Sequence, residues 1–79
     1  MNDIIMEFSK KNDVTIKIKY QTQVLWYDIW MTDNKTGQTV KREICEENII
    51  ATNSPNLFVS FILKNMLNDL KGDKNVGTD

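Results

Sequence analysis

The chain has 79 residues, 41% of them hydrophobic and 27% charged, with a formal net charge of −1. That length leaves room for one modest core, and the composition belongs to a folded chain rather than a disordered one. The near-neutral charge creates no global field to attract DNA or an anionic membrane. Histidine is absent and Cys45 is the lone cysteine, which excludes imidazole-based acid–base catalysis, Ser-His and Cys-His nucleophile pairs, zinc held by imidazole or clustered thiolates, and an internal disulfide.

No apolar run approaches the ~20 residues that span a bilayer, and Met1-Asn2-Asp3 lacks the basic start of a secretory signal. The expected location is therefore cytoplasmic, in a reducing compartment. Asn34-Lys35-Thr36 matches a glycosylation sequon, but a turn accounts for the same residues. Lysine, asparagine and isoleucine are abundant while Arg42 is the sole arginine. That bias points to an AT-rich coding genome, as in low-GC bacteria, their phages and mobile elements.

Asn2 or Asp3 suits the cap of a short helix in which Ile4, Ile5 and Phe8 recur at helical spacing, with Lys10 and Lys11 favourable near its C-terminus. Ile4, Met6 and Phe8 also alternate, so a strand followed by a hairpin loop at Ser9 to Asp13 competes; the helix is preferred. Asn12-Asp13 breaks the segment in either case. Val14, Ile16, Ile18 and Tyr20 then alternate with Thr15, Lys17 and Lys19, predicting a strand with one buried and one wet face. Gln21-Thr22-Gln23 has no glycine or proline; with Gln21-Thr22 as its tip, Ile18 faces Leu25 and Lys17 faces Trp26.

The stretch from Val24 to Cys45 predicts a hairpin around Asp33-Asn34-Lys35-Thr36-Gly37. Leu25, Tyr27, Ile29 and Met31 alternate with Val24, Trp26, Asp28 and Trp30, and Val40 and Ile44 recur after the turn. Gly37 suits a left-handed position, and Asp33 is placed to accept from turn amides two and three residues on. A four-residue loop, Asn34 to Gly37, sets Met31 opposite Val40 and Tyr27 opposite Ile44, which gathers the aliphatic residues on one face. A three-residue loop would move Val40 and Ile44 to the face of Trp26 and Trp30. The four-residue loop is preferred.

Glu46-Glu47-Asn48 interrupts the third strand, and Ile49-Ile50-Ala51 reads as a short apolar connection. Ser54-Pro55 is a strong helix start, with Ser54 at the N-cap and Pro55 at the first helical position, and Gly72 is the stop after Lys71. Leu57, Phe58, Phe61, Ile62, Leu63, Met66, Leu67 and Leu70 form the expected core stripe, with Ser60, Lys64, Asn68 and Lys71 on the wet side. The fold class is α+β: a short N-terminal helix, a three-stranded antiparallel meander, and a long C-terminal helix packed on one sheet face. Residues 1–72 are expected as one domain and 73–79 as a flexible tail.

No catalytic, cofactor-binding or metal-binding motif is present, and the scattered glycines form no phosphate-binding loop. Asp28 and Glu43 oppose each other as a paired carboxylate, best explained as strand charges bridged to Lys41 and Arg42. The feature that calls for a function is the second sheet face: Thr15, Lys17 and Lys19; Val24, Trp26, Asp28 and Trp30; Thr39, Lys41, Glu43 and Cys45. Two tryptophans uncovered by a helix would form an aromatic patch. Structural explanations are cover by the N-terminal helix, burial under lysine stems, or a homodimer. The functional reading is a non-enzymatic protein-interaction or inhibitor module, with Trp26 and Trp30 as anchors and Lys17, Lys19 and Lys41 as the polar surround. Single-stranded nucleic-acid binding is the alternative, weakened by Asp28, Glu43 and the lone arginine.

The order of a helix at Asn2-Asp3-Ile4-Ile5-Met6, a strand at Val14-Thr15-Ile16-Lys17, a hairpin and a C-terminal helix resembles small phage-encoded αβββα proteins, among them anti-CRISPR inhibitors of Cas9-type nucleases. The resemblance is one of topology and size, over most of the chain, with no shared diagnostic motif. It departs in charge, since those inhibitors are strongly acidic DNA mimics. What it implies is a setting: a phage or prophage accessory protein that acts by binding a host protein.

Overall fold

Left-handed backbone at Asp13 (φ 54°) and Gly37 (φ 80°) punctuates the chain where a helix must give way to a strand and where a hairpin must close. The computed structural model describes residues 2–72, and the tail expected over 73–79 lies outside the described residues. In chain order the elements are α1 (Asn2–Asn12), β1 (Val14–Gln21), β2 (Trp26–Asp33), β3 (Thr39–Cys45), α2 (Glu46–Ala51) and α3 (Pro55–Lys71). The N-terminal segment is thus a helix, and the Asn12 side chain donates to the Phe8 carbonyl at 3.0 Å in its last turn.

The strands form an antiparallel sheet in the order β1-β2-β3. The second hairpin has the four-residue loop: the Gly37 amide donates to the Asp33 carbonyl at 2.7 Å and the Asp33 amide to the Gln38 carbonyl at 2.8 Å. Met31 pairs with Val40 and Tyr27 with Ile44, as the aliphatic pattern requires. Asp33 is buried, and its Oδ1 accepts from the Lys35 amide at 2.9 Å. That bond, followed by the Lys71 ammonium 3.6 Å from Oδ2, holds the carboxyl below its ordinary value of 3.8. Because the folded value is depressed, the contribution is present above pH 3.8 and is lost as pH falls through the folded value. Asn34 ties the loop down, donating from Nδ2 to Asp13 Oδ1 at 3.1 Å and accepting from the Thr15 hydroxyl at 2.7 Å.

The first hairpin differs from expectation. Gln21 pairs with Trp26, Ile18 with Ile29 and Lys17 with Trp30, so the loop runs from 22 to 25 rather than turning at Gln21-Thr22. β2 slides four residues along β1 relative to the predicted pairing, an even number, so every side chain keeps its face. Val24 and Leu25 leave the strand for the loop, where they are 47% and 57% exposed.

The core lies between one sheet face and the helices: Val14, Ile29, Met31 and Ile44 meet Val59, Leu63, Met66 and Leu70 of α3. Ile5 and Phe8 of α1 and Ile49 of α2 pack against that cluster. Burial of each large side chain contributes ~1.5–3 kcal/mol before entropy. Two expectations for the C-terminal half need correction. Glu46–Ala51, expected as a break in the strand followed by a short apolar connection, is a short helix, with Glu46 and Glu47 in its first turn at the favourable end of the dipole. The buried line of α3 includes Val59, whereas Leu57 and Phe61 are 70% and 62% exposed. The apolar residues of this helix cover more of its circumference than the sheet can; Phe61 stands about 160° around the helix from Leu63. Ser54 occupies the N-cap without a side-chain bond, and Gly72 ends the helix in the left-handed conformation, its amide bonding to the carbonyls of Asn68 and Asp69.

Leu63→Ala should lower unfolding free energy by ~2–5 kcal/mol in urea titration, whereas Phe61→Ala should change it by less than ~1 kcal/mol. Equal losses at both positions would show that α3 is rotated relative to this description.

Candidate functional site

Beyond a row of threonines, Thr15, Thr32 and Thr39, the face of the sheet away from the core carries three further cross-strand rows. In the first, Lys17, Trp30 and Lys41 are aligned across β1, β2 and β3. The Lys17 and Lys41 ammonium groups lie 5.4 and 5.5 Å from the Trp30 ring centroid, so the ring carries a cation–π contact from each neighbouring strand. Lys19, Asp28 and Glu43 form the second row, and Gln21, Trp26 and Cys45 the third.

The middle row carries like charges on adjacent strands, which alone would be unfavourable. Lys41 resolves this, its Nζ lying 3.3 Å from Glu43 Oε2 and 4.0 Å from Asp28 Oδ1. Asp28 lies between the two tryptophans along β2 and is only 5% exposed. Its Oδ2 accepts from the Gln21 side-chain amide at 2.8 Å, while Oδ1 is buried without a hydrogen bond. The paired carboxylates are therefore bridged by Lys41. Arg42 is not part of that bridge: it points to the helix side and pairs with Asp69 of α3.

Trp26 and Trp30 are half-buried, and neither is in the core cluster or among the residues packed against it. The N-terminal helix does not cover them, since its Ile5 and Phe8 pack on the opposite side of the sheet. Lysine cover is realised at Trp30. Of the side chains expected on this face, Lys17, Lys19, Trp26, Trp30 and Lys41 are all there, and Val24 is not.

Next to the third row lies a feature that the sequence did not disclose. The loop after β1 and helix α2 flank an open groove of about 610 Å³, lined by Val24, Leu25, Cys45, Glu46, Glu47, Ile50 and Ala51. Leu25 has φ 56°, an uncommon conformation for a bulky side chain. It is held there at both ends: its amide donates to the Gln21 carbonyl at 2.9 Å, and its carbonyl accepts the Glu46 amide at 3.0 Å. Tyr20 adds a second tie, its hydroxyl donating to Glu46 Oε1 at 2.5 Å. The sequence signal was an apolar Val24-Leu25 pair following three polar residues, which period-two counting assigned to the strand.

Among the described residues, no group of three or more His, Cys, Asp or Glu side chains is arranged to hold a metal ion. Among the same residues, no helix is long and apolar enough to cross a membrane.

The carboxylate beside Tyr20 makes the phenolate unfavourable, so its pKa is pushed up to about 12. A raised folded value means the bond's contribution is complete below pH 10.0 and is lost as pH rises through about 12. In a Tyr27→Phe background, ultraviolet difference titration should show the remaining phenol ionising near 12. Adding Glu46→Gln should move it back toward 10.0; an unmoved titration would show that Glu46 is not its partner.

No protein-family model, curated protein or solved structure matches the chain.

Proposed function

We propose that this protein is a small non-enzymatic protein-interaction or inhibitor module, which binds a protein partner through Trp26 and Trp30. The observation that carries this reading is a pair of half-buried indoles on the sheet face opposite the helix-packed core. Tryptophan offers large apolar area at small entropic cost, and a ring of mixed charge around it is the usual rim of a protein interface. Lys17, Lys19, Lys41 and Glu43 supply that rim. A phage or prophage accessory role, implied by the topological resemblance, is the setting in which such a module would act.

Two alternatives make different demands on the same face. Base stacking needs an open ring, whereas Trp30 is already approached by Lys17 and Lys41, and Lys41 is engaged by Asp28 and Glu43. Those contacts favour a protein over a single-stranded nucleic acid. A homodimer through the face would leave the indoles as its anchors with no outside partner.

Capture from a lysate of the native host should recover a partner that the Trp26→Ala/Trp30→Ala double variant does not. With that partner purified, Trp30→Ala should weaken binding by more than ~2 kcal/mol while the thermal midpoint is retained. Unfolding of the variant would assign Trp30 to structure. A steep fall in affinity with added salt would favour nucleic acid, and a dimer in sedimentation that dissociates in the double variant would favour self-association.

A further inference from the structure

We infer that the groove between the β1–β2 loop and α2 receives an apolar side chain from a basic segment of the protein partner, extending the contact made by the tryptophan face. The inference rests on the reading of that face as a protein-binding surface. Cys45 joins the two regions, since it pairs with Trp26 across the strands and also lines the groove.

The groove exposes apolar area that folding does not explain. Ile50 is 72% exposed, Leu25 57% and Val24 47%. At Leu25 the backbone adopts a conformation that disfavours a bulky residue, and the side chain gains no burial in return. Yet the main chain is fastened on both sides, to Gln21 and to Glu46, so the side chain is presented from a fixed position. A preorganised apolar anchor of this kind lowers the ordering cost of binding.

Charge identifies the occupant. The lining includes Glu46 and Glu47 and no lysine or arginine. Glu46 is held in place by the Tyr20 hydroxyl. An apolar side chain flanked by lysine or arginine therefore suits the groove, and one flanked by carboxylates is repelled. The rim near Trp30 is lysine-rich, so the whole surface changes sign along its length. A partner segment would lie with its basic end over α2 and its acidic or neutral end near Lys17.

The test uses the intact protein with two synthetic amphipathic probes, a leucine–lysine peptide and its leucine–glutamate counterpart. Binding is followed by amide chemical shifts in nuclear magnetic resonance and by the rate of Cys45 alkylation. The leucine–lysine peptide should shift the amides of Val24, Leu25, Glu46 and Ile50 and slow alkylation several-fold, while the glutamate peptide does neither. Leu25→Gly, which accepts the left-handed backbone without strain, should weaken these effects several-fold while the thermal midpoint is kept; Glu46→Gln combined with Glu47→Gln should weaken them several-fold with a native amide spectrum and a slightly lowered midpoint, since it removes the charges at the start of α2. Absence of binding, equal response to both peptides, shifts confined to the tryptophan face, or unchanged binding by Leu25→Gly would each overturn the inference. None of those results touches the role of Trp26 and Trp30, which is tested separately by partner capture with the double variant.

Discussion

The loop from Asn34 to Gly37 decides which side of the sheet every side chain of the second hairpin faces, and the two surfaces of the molecule follow from it. With four residues between Asp33 and Gln38, Met31 and Val40 fall together, as do Tyr27 and Ile44. One residue fewer would set Val40 and Ile44 beside the tryptophans and break the continuity of the core. The loop length is held by contacts from several directions: the left-handed Gly37, the Asp33 backbone bonds, the Lys35 amide on Asp33 Oδ1, and the Asn34 side chain on Asp13. Lys71 reaches the same buried carboxylate from the end of α3, so the helix and the turn are fastened at one point.

From that parity comes the division of labour between the faces. The helix side concentrates aliphatic residues and places Arg42 where it can pair with Asp69. The other side is a lattice of lysine, carboxylate and indole in which each charge has a neighbour of opposite sign or an aromatic ring. Such a face needs no helix to cover it, yet leaves two indoles half-open to water. Beyond Trp26 the surface turns apolar and acidic at the groove of Leu25 and Ile50. The proposed partner contact depends on this sequence of environments along one edge.

The strongest local signals in the sequence translated directly into structure. Period-two alternation in Val14 to Tyr20 and Tyr27 to Met31, Gly37 in the turn, and Pro55 and Gly72 at the ends of the long helix each have one dominant physical cause, and the strands, turn and helix ends are observed. The buried face expected along β1 is observed only at Val14 and Ile16, since Ile18 and Tyr20 lie beyond the cover of the helices and are 39% and 36% exposed. The failures have causes too. The first turn lacks a residue that tolerates positive φ at low cost, and the chain places Leu25 there regardless; composition could not locate a turn built from such a residue. In α3, Leu57 and Phe61 are apolar but outward, so hydrophobicity alone misplaced the stripe and hid Val59. Helix α2 is short, and its Ile49 and Ile50 could not be told from a strand by periodicity. The groove was invisible for the same reasons, since it is assembled from that turn and that helix.

The central claim is that Trp26 and Trp30 face away from the α3 side of the sheet, and nuclear Overhauser contacts from the indole protons test it most directly. Trp30 should show contacts to the side chains of Lys17 and Lys41 and none to Leu63 or Met66. Contacts from the Trp30 indole to the methyl groups of Leu63 or Met66 would contradict the account and remove the surface on which the proposed function stands.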